Sequence, residues 1–361
     1  MISCVEEVGY RLRNELSFPS FESLLHFDAP LADRRRWLRE VAVCSQNLLN
    51  EGVPIRDFMA AFQGLRVALL QRVFESTISE SLRERLVYVR FGSAGRGEDL
   101  LSSDLDHAII LRDSFDTSTL LPELQRFIGR MNEFGCPVCQ GFVMGTNPRW
   151  IGTREQWLKR IQGYFLFPDW ENVRYLFISL DGRPMYEDTE DWDAIHDVVF
   201  DGIRKSPFIC WEMAHLGIHK SVALNLFGRV RVQTGSGKTG LNIKEGLLTP
   251  ILHSVRLFTV ADGYPVSSTW QRIHHLRTRN LVPANLLDRV ESAVEFGFLH
   301  RLRKQIDDVL MGREPSDLVV LGTPFGGGWR MQEPSREDWL RHLETAKELE
   351  RLAHRKFPKP R

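Results

Sequence analysis

Residues 91–106 read FGSAGRGEDLLSSDLD, and an apolar run stands on each side of this segment. Residues 86–92, LVYVRFG, and residues 104–112, DLDHAIILR, each have the length and apolar content of a buried strand. Between them the chain opens with glycines and continues with polar residues, which predicts a glycine turn and a short helix. The sequence therefore predicts a strand, a turn, a short helix and a second strand in succession.

The turn carries residues that suit a phosphate group. Gly92 and Ser93 follow the first strand directly, where a helix start presents free backbone N–H groups and its positive dipole end to an anion. Glycine at position 92 allows the backbone to approach a ligand closely, and the Ser93 hydroxyl is a further donor. Arg96, one turn on, can fork onto phosphate oxygens. These three residues predict a phosphate-binding turn.

Two aspartates stand at the start of the second strand. Asp104 and Asp106 are two residues apart, so the period of a strand puts both carboxylates on one face, with Cα atoms about 7 Å apart. Two carboxylates at this spacing repel each other, and Mg²⁺, which prefers oxygen ligands, removes the repulsion. In two-metal sites, ions roughly 4 Å apart clamp the attacking and leaving oxygens of a phosphoryl displacement. We therefore predict that Asp104 and Asp106 are catalytic metal ligands.

Two other interpretations of this segment were considered. Its glycines could form only a flexible turn, and the aspartates could be a solvated strand entry, but the combination of both motifs favours a site. A dinucleotide-binding G-x-G-x-x-G loop does not fit, because Gly92, Gly95 and Gly97 have a different spacing. The expected ribose-binding acidic residue about 20 positions later is also missing from a strand end. We exclude the dinucleotide fold.

Elements on either side of this segment alternate before the chain becomes helical. Apolar residues recur at helical spacing from about Arg34 to Glu75 and again over 118–134. After these, GFVMGT is predicted as a strand, REQWLKRIQGYF as a helix and RYLFISLDGRPMY as a further strand. From residue 192 onward the pattern is overwhelmingly helical. The tail has one charged amphipathic helix.

This pattern predicts the fold class α/β in the broad sense, and more narrowly α+β. A small mixed sheet is flanked by an N-terminal helical segment and a C-terminal helical bundle. We predict four segments, which are a helical segment at 1–80, the α/β domain with the metal site at 81–190, a helical domain at 191–320 and a tail with one helix at 321–361.

Bulk composition narrows the class of partner. Lysine plus arginine and aspartate plus glutamate both count 47 in the 361 residues, so no global basic field favours nucleic acid or an anionic membrane. No apolar run approaches the roughly 20 residues that span a bilayer, and the N-terminus lacks the layout of a signal peptide. The five cysteines are an odd, sparse set that suits reduced thiols. We expect no nucleic-acid or membrane partner and a cytoplasmic location.

Taken together, the motifs resemble a known family. The patterns G-S-x-x-R-G-E at 92–98 and S-D-x-D at 103–106 resemble the DNA polymerase β nucleotidyltransferase superfamily, in the branch that contains PII-protein uridylyltransferases. GFVMGTNPRW, SLDGRPMY and LNIKEGLLTPILHSVRL are similar to further segments of bacterial nucleotidyltransferases in this branch, so the resemblance covers roughly residues 40–310. Those relatives are often fused to CBS or cyclic-nucleotide-binding modules, of which we find no sign in this sequence.

The resemblance implies a role for each residue of the motif. It implies that Gly92 and Ser93 hold the triphosphate of an NTP and that Arg96 neutralises it. It also implies that Asp104 and Asp106 bind two Mg²⁺ ions, with Mn²⁺ as an alternative. The helical part that follows would contribute to the substrate site.

Later segments add two implied residues. A third acidic ligand on a later strand is common in the superfamily, and Asp181 in FISLDGRP is our candidate catalytic and metal-binding residue, with a plain turn aspartate as the alternative. The segment at 242–246, NIKEG, resembles the D-I-K-E-G stretch of uridylyltransferases, which assigns Lys244 to the nucleotide. Asn242 replaces the aspartate of that stretch. We find no phosphohydrolase motif for removing a nucleotide.

Two further motifs have simpler interpretations. Cys136 and Cys139 form a CPVC pair, but a zinc site would need a second pair or histidines at matching spacing, so we predict structural thiols. TGSGKTG at 234–240 invites a P-loop interpretation, which requires glycine at position 232, where the chain has Val232. We predict a loop, from which Lys238 could still reach a phosphate.

The sequence thus predicts a Mg²⁺-dependent nucleotidyltransferase that uses an NTP. UTP is the donor that the resemblance favours, and the acceptor is expected to be a protein of the PII type or, alternatively, a small molecule. A second hypothesis is a nucleotide-binding regulatory module without turnover. Retention of both aspartates in the S-D-x-D pattern favours the enzyme.

Overall fold

The computed structural model describes residues 4–14, 31–216, 222–225, 227–235 and 238–360. Residues 236–237 of the predicted TGSGKTG loop lie outside the described residues. The chain divides into two compact units. Unit 1 consists of Met1–Gln162, Asp181–Asp197 and Val309–Glu314, and unit 2 consists of Gly163–Leu180, Val198–Asp308 and Pro315–Arg361. The four segments predicted from the sequence stay a prediction.

Helices dominate the described residues. The α-helices are α1 (Cys4–Asn14), α2 (Leu31–Asn50), α3 (Ile55–Thr77), α4 (Glu80–Arg83), α5 (Gly92–Arg96), α6 (Leu120–Glu133), α7 (Arg154–Leu166), α8 (Trp170–Ser179), α9 (Glu190–Arg204), α10 (Pro207–Leu216), α11 (Thr249–Ala261), α12 (Thr269–Thr278), α13 (Ala284–Leu310) and α14 (Arg336–Lys356). The strands are β1 (Leu86–Arg90), β2 (His107–Leu111), β3 (Ile151–Thr153), β4 (Arg183–Pro184), β5 (Gln233–Gly235), β6 (Lys238–Asn242) and β7 (Leu318–Val319). A 3₁₀ turn covers Pro148–Trp150, and a π-helical turn covers Lys244–Leu248.

A four-stranded mixed sheet in the order β3-β2-β1-β4 forms the centre of unit 1. β1 and β2 are antiparallel, pairing Leu86 with Leu111 at one end and Arg90 with His107 at the other. β3 is parallel to β2. All ten residues of β1 and β2 are buried, which explains why both strands appear in the sequence as continuous apolar runs. The register puts the end of β1 and the start of β2 at the same edge of the sheet.

Unit 2 is mostly helical, with a small antiparallel sheet in the order β5-β6-β7. Its core includes the buried apolar faces of α11 and α13, and α13 runs for 27 residues. α14 begins with a capping box, in which Ser335 Oγ accepts the Asp338 N–H and the Asp338 carboxylate accepts the Ser335 N–H. The predicted helical character of the chain beyond residue 192 is confirmed by α9 to α14, whereas the short strands β5, β6 and β7 were not predicted.

One predicted strand is wrong, and a second, RYLFISLDGRPMY, is right only near its end, where Arg183–Pro184 form β4. GFVMGT forms turns, because Phe142 adopts a left-handed φ of 55° and the strand follows later, at Ile151–Thr153. RYLFIS belongs to the helix α8, whose start is capped by Asp169 as its side chain accepts the Asn172 N–H at 2.8 Å. A short apolar run fits a buried strand and a buried helix equally well, and a cap upstream of the run decides between them here.

The predicted α+β class is confirmed, since helical segments flank a small mixed sheet. None of the helices in the described ranges combines the length and the apolar content needed to cross a membrane.

Candidate active site

Three backbone hydrogen bonds hold the segment that carries the two aspartates. The Phe91 N–H donates to the Asp106 carbonyl at 2.9 Å on one side. On the other side, the Leu105 N–H donates to Pro137 O at 3.3 Å and the His107 N–H donates to Val143 O at 2.9 Å. The segment thus lies between the glycine turn and the loop 136–143. The sequence had predicted that both aspartates lie at the start of the strand, but β2 begins only at His107, so both of them precede it.

The side chains of Asp104, Asp106 and Cys139 converge at this edge of the sheet. One carboxylate oxygen from each aspartate and the Cys139 sulfur all lie within 4.8 Å of one another. The aspartates are half-buried, and Cys139 is buried. Burial and the neighbouring Asp106 raise the pKa of the Cys139 thiol to about 12. We call these three side chains the aspartate–cysteine cluster.

Gly92 lies directly against this cluster. Its φ of 56° is in the left-handed region, and a Cβ atom at this position would stand 2.3 Å from Asp106 Oδ2. Glycine is therefore required at position 92 both by backbone conformation and by space. The next residue, Ser93, donates its hydroxyl to Asp99 at 2.9 Å. The two residues predicted to hold phosphate are thus adjacent to the two predicted metal ligands.

Arg96 lies in a buried charge network with two carboxylates. Its guanidinium donates to Glu98 at 2.6 Å and to Asp181 at 2.7 Å. Burial opposes the charge of this guanidinium, but Glu98 and Asp181 outweigh that effect and raise the pKa of Arg96. Gly95 allows this approach, since a Cβ there would lie 1.9 Å from the Asp181 carbonyl oxygen. The contact of Arg96 with a triphosphate stays a prediction.

Asp181 lies at a turn that follows α8, and its side chain is almost fully buried. Its carboxylate binds Arg96. Among the residues that the structure describes, Asp181 is not part of the aspartate–cysteine cluster. Trp192 packs against the following Gly182 and donates its indole N–H to the Gly182 carbonyl at 3.2 Å. The predicted role of Asp181 as a third metal ligand is not tested by these contacts and stays a prediction.

A buried arginine supports the cluster from the helical side. Arg66, on α3, donates to the Cys136 sulfur at 2.6 Å and to the Ser103 carbonyl at 3.3 Å. Burial lowers the affinity of Arg66 for its proton, but Cys136, Asp99 and Asp104 outweigh burial and raise its pKa. Arg66 therefore places a fixed positive charge near Asp104 and joins the two loops that meet at the cluster.

Lys244 lies in unit 2, at the start of the π-helical turn after β6. Asn242 Oδ1 accepts the Glu245 N–H at 2.9 Å, so the amide caps this turn as an aspartate would. Asp317 accepts hydrogen bonds from Arg301 at 2.7 Å and from Gln305 at 3.1 Å. Burial alone would raise the pKa of Asp317, but Arg301 and Lys244 outweigh it and lower the pKa. Binding of a nucleotide by Lys244 stays a prediction.

Cys139 is the residue of the cluster that sequence reasoning missed. The CPVC pair was assigned to structural thiols, and this holds for Cys136, which is bonded to Arg66. Cys139, by contrast, reaches the two carboxylates because the loop that carries it pairs with residues 105–107. The strand predicted for GFVMGT begins at residue 141, after Cys139, and no pattern in the sequence showed that residues 136–143 form one loop against Leu105 and His107.

The cluster can be tested for its fit to a divalent cation. Asp104 and Asp106 supply carboxylate oxygens, which are the ligands that Mg²⁺ and Mn²⁺ prefer. The oxygens already converge within 4.8 Å, and the glycine turn keeps the space next to Asp106 free of a side chain. The donor set and its geometry therefore fit a divalent cation.

Comparison with known families gives two matches. Residues 39–170 match the family described as "Putative nucleotidyltransferase DUF294", and residues 208–323 match "Putative nucleotidyltransferase substrate binding domain". No curated protein gives a significant match. The first match contains the whole aspartate–cysteine cluster, and the second contains Lys244. The two matched segments together cover more than half of the 361 residues, and the chain belongs to this family of nucleotidyltransferases.

Proposed function

We propose that this protein is a Mg²⁺-dependent enzyme that transfers a nucleoside monophosphate from an NTP to an acceptor hydroxyl. The acceptor oxygen forms a bond to the α-phosphorus, the bond to the β-phosphate oxygen breaks, and pyrophosphate and the hydroxyl proton leave. The observation that supports this best is the convergence of the Asp104 and Asp106 carboxylates beside the Gly92 turn. That arrangement combines a cation site with a site for a phosphate group.

Each residue of this edge has a proposed task. Asp104 and Asp106 hold Mg²⁺, or Mn²⁺ in its place, and the cation when bound stabilises charge on the reacting phosphate oxygens. Gly92 leaves room for the triphosphate close to the backbone, and the Ser93 hydroxyl turns from Asp99 to donate its single hydrogen to the triphosphate. Arg96 adds positive charge at the same edge.

Asp181 has two tasks in the proposal. It holds Arg96 in place through the buried ion pair, and it is our candidate for a third carboxylate ligand once substrates are bound. A single carboxylate has two oxygens, and Oδ2 is the one that Arg96 binds. The variant Asp181→Asn therefore separates the tasks, because an amide keeps a neutral acceptor for Arg96 but is a weaker ligand for Mg²⁺.

The donor and the acceptor are proposed on the resemblance to PII-protein uridylyltransferases. UTP is the favoured donor, and a hydroxyl on a PII-like regulatory protein is the favoured acceptor, with a small molecule as the alternative. Residues 208–323, which match a substrate binding domain, are the proposed location of acceptor contacts, and Lys244 within them is proposed to contact the nucleotide. The capped turn at Asn242 supports a fixed position for Lys244.

The test is a transfer assay with all four α-labelled NTPs. The protein is incubated with Mg²⁺ and a host extract, and label on macromolecules and on small products is measured together with pyrophosphate release. The matched control is the double variant Asp104→Asn/Asp106→Asn, which keeps the size of both side chains but removes both charges. We expect label transfer by the native protein, with UTP best, and a loss of about 10³-fold or more in the double variant.

Three outcomes are decisive. Equal labelling by the double variant would show that the carboxylates do not carry the reaction. NTP binding without any pyrophosphate release from any NTP, in the presence of the extract, would replace the enzyme by a nucleotide-binding regulatory module. Label on a small product only would keep the reaction and move the acceptor from a protein to a metabolite.

A further inference from the structure

Cys139 places a sulfur atom in a site that the family resemblance describes only in terms of carboxylates. Its Sγ and one oxygen from each of Asp104 and Asp106 all lie within 4.8 Å of one another. The cysteine is only 4% exposed, so the sulfur faces the cluster and not bulk solvent. The site therefore offers one soft and two hard ligand atoms to a cation.

Backbone hydrogen bonds fix the position of this sulfur. The Leu105 N–H bonds Pro137 O on one side of Cys139, and the His107 N–H bonds Val143 O on the other side. Within the loop, the Phe142 N–H donates to the Cys139 carbonyl at 3.1 Å, which closes a tight turn. Cys139 is thus held between two attachment points on the very segment that carries the aspartates.

The left-handed residue in this turn is itself held in place. Phe142 has a φ of 55°, which is costly for a residue with a Cβ atom, and its ring is exposed. Asn147 Nδ2 donates to the Phe142 carbonyl at 3.0 Å, and the Asn147 side-chain oxygen caps the 3₁₀ turn that follows. Backbone strain of this kind is retained in proteins mainly at functional sites. The strained turn here presents Cys139 to the carboxylates.

The chemistry of the three ligand atoms separates two classes of cation. Mg²⁺ is hard and binds oxygen, so it gains little from a thiol, whereas Zn²⁺ and Cd²⁺ bind thiolate and carboxylate together. In a tetrahedral site with bonds of about 2.0 to 2.3 Å, ligand atoms lie roughly 3.5 Å apart. Atoms already within 4.8 Å reach that spacing through small side-chain rotations.

We propose that Cys139 is a third side-chain ligand of the Asp104 and Asp106 metal site and gives that site a preference for soft divalent cations such as Zn²⁺ or Cd²⁺. As the metal–sulfur bond forms, the S–H bond breaks and the thiol proton passes to solvent. Such a cation competes with Mg²⁺ for the same carboxylate oxygens and inhibits transfer. The inhibitory part rests on the proposed nucleotidyltransferase function, whereas the binding part does not. The site thus binds soft cations through the sulfur and the carboxylates, and it binds Mg²⁺ through the carboxylates alone.

The experiment measures Cd²⁺ binding to the full-length protein without nucleotide. Cd²⁺ is titrated while the ultraviolet absorption of the thiolate–Cd²⁺ bond is recorded, and Cd²⁺-induced shifts of Tm are measured in parallel. The variants are Cys139→Ser, the double variant Asp104→Asn/Asp106→Asn, and two cysteine controls. Cys136→Ser tests the other member of the CPVC pair, and Cys210→Ser tests a buried thiol in unit 2.

We expect one Cd²⁺ per chain, with a thiolate absorption band and a rise in Tm. Removal of a ligand in Cys139→Ser should abolish the band and weaken binding about 100-fold or more, because even outer partners of ligands contribute 10- to 100-fold. The aspartate double variant should weaken binding by a similar factor. Cys210→Ser should bind Cd²⁺ like the native protein, and Cys136→Ser should keep the thiolate band, because the serine hydroxyl still accepts from Arg66.

Several results would overturn the proposal. It fails if Cys139→Ser binds Cd²⁺ with native affinity, if the band is lost equally in Cys136→Ser, or if the aspartate double variant binds as tightly as the native protein. Each variant is compared with its own metal-free Tm, so a less stable variant remains informative. A further variant, Cys139→Asp, should keep Mn²⁺ binding and lose the preference for Cd²⁺. An unchanged preference in that variant would also contradict the proposal.

Failure of this proposal is distinguishable from failure of the proposed function. If Cd²⁺ binds as expected and no NTP is turned over, the metal site stands without the enzyme. If nucleotide transfer occurs and Cys139→Ser leaves both Cd²⁺ affinity and Cd²⁺ inhibition unchanged, the enzyme stands without the sulfur ligand.

Discussion

The aspartate–cysteine cluster in unit 1 and the Asp317 network in unit 2 treat charge in opposite ways. In the cluster, two carboxylates and a thiol point at one small volume. In the network, Asp317 accepts from Arg301 and Gln305, and the charge of Lys244 acts on the same carboxylate. In the cluster, two carboxylates approach each other with Arg66 as a nearby positive charge, whereas in the network a single carboxylate lies among positive and neutral donors.

This difference indicates what each region is for. Matched charges with good hydrogen bonds satisfy one another, so the Asp317 network holds β6, β7 and α13 together without a ligand. Converging carboxylates raise the free energy of the folded state unless a cation binds between them. Sites that depart from local stability in this way are the ones where function is expected. This difference supports the proposal that the cluster binds a ligand, whereas the network stabilises the fold.

The largest effect on stability is expected from breaking the network. Arg301→Met should lower the free energy of unfolding by about 3 kcal/mol, because Asp317 then stays largely buried without its main partner. Chemical denaturation measures this change. The control is Lys205→Met, whose ion pair with Asp201 is exposed to solvent and should contribute far less to stability. Equal losses in both variants would show that burial does not set the strength of these pairs.

The next effect concerns the cluster. Gly92→Ala should lower the transfer rate about 100-fold, because the new Cβ atom displaces the Asp106 carboxylate and the φ of 56° becomes strained. The control is Gly64→Ala in the helix α3, where a Cβ meets no atom within 4 Å and should stabilise by about 1 kcal/mol. If Gly92→Ala binds Mn²⁺ with native affinity and transfers the nucleotide at the native rate, the cluster is not part of the active site.

Unit 2 also keeps buried histidines uncharged. Burial first, and then the positive charge of Arg341, lower the pKa of His342 to about 4, from an ordinary value near 6.5. Between these pH values the unfolded chain binds a proton at His342 that the folded chain does not bind. His342 therefore does not reduce the free energy of unfolding above about pH 6.5, and it lowers that free energy progressively as the pH falls toward 4. The free energy of unfolding is measured by chemical denaturation at pH 7 and at pH 4.5. In His342→Phe, the decrease between the two pH values should be smaller by about 2 kcal/mol than in the native protein. An unchanged pH dependence would contradict the assignment.

The smallest effect sharpens the role of Lys244. If this lysine contacts the nucleotide, Lys244→Met should weaken NTP binding about tenfold while the free energy of unfolding changes by less than about 1 kcal/mol. Binding calorimetry and chemical denaturation measure the two quantities on the same variant. A change in stability with native NTP affinity would place Lys244 in the Asp317 network alone.

Much of the segment around Asp104 and Asp106 could be predicted from the sequence. The continuous apolar runs around FGSAGRGEDLLSSDLD predicted β1 and β2, and their antiparallel pairing brings Gly92 next to Asp106. Local patterns sufficed because turn, helix and both aspartates lie within 16 residues. The α+β class followed from the same alternation of elements.

The remainder depends on contacts between distant segments. Cys139 lies beside the carboxylates because backbone hydrogen bonds hold its loop against Leu105 and His107. These bonds join segments about 30 residues apart, and the prediction of GFVMGT as a strand did not include them. The ion pair between Arg96 and Asp181 joins residues 85 positions apart, and no pattern in the sequence announces it. Likewise, RYLFIS is apolar enough for a strand, and only the cap at Asp169 reveals a helix.

The most direct test of the account is the effect of Mn²⁺ on the Tm of two proteins, the native chain and Asp104→Asn/Asp106→Asn. Without metal, the double variant should be at least as stable as the native chain, because two converging charges are removed. Saturating Mn²⁺ should raise the Tm of the native chain by several degrees and leave that of the double variant unchanged. An equal rise in both proteins would show that the carboxylates do not form the cation site.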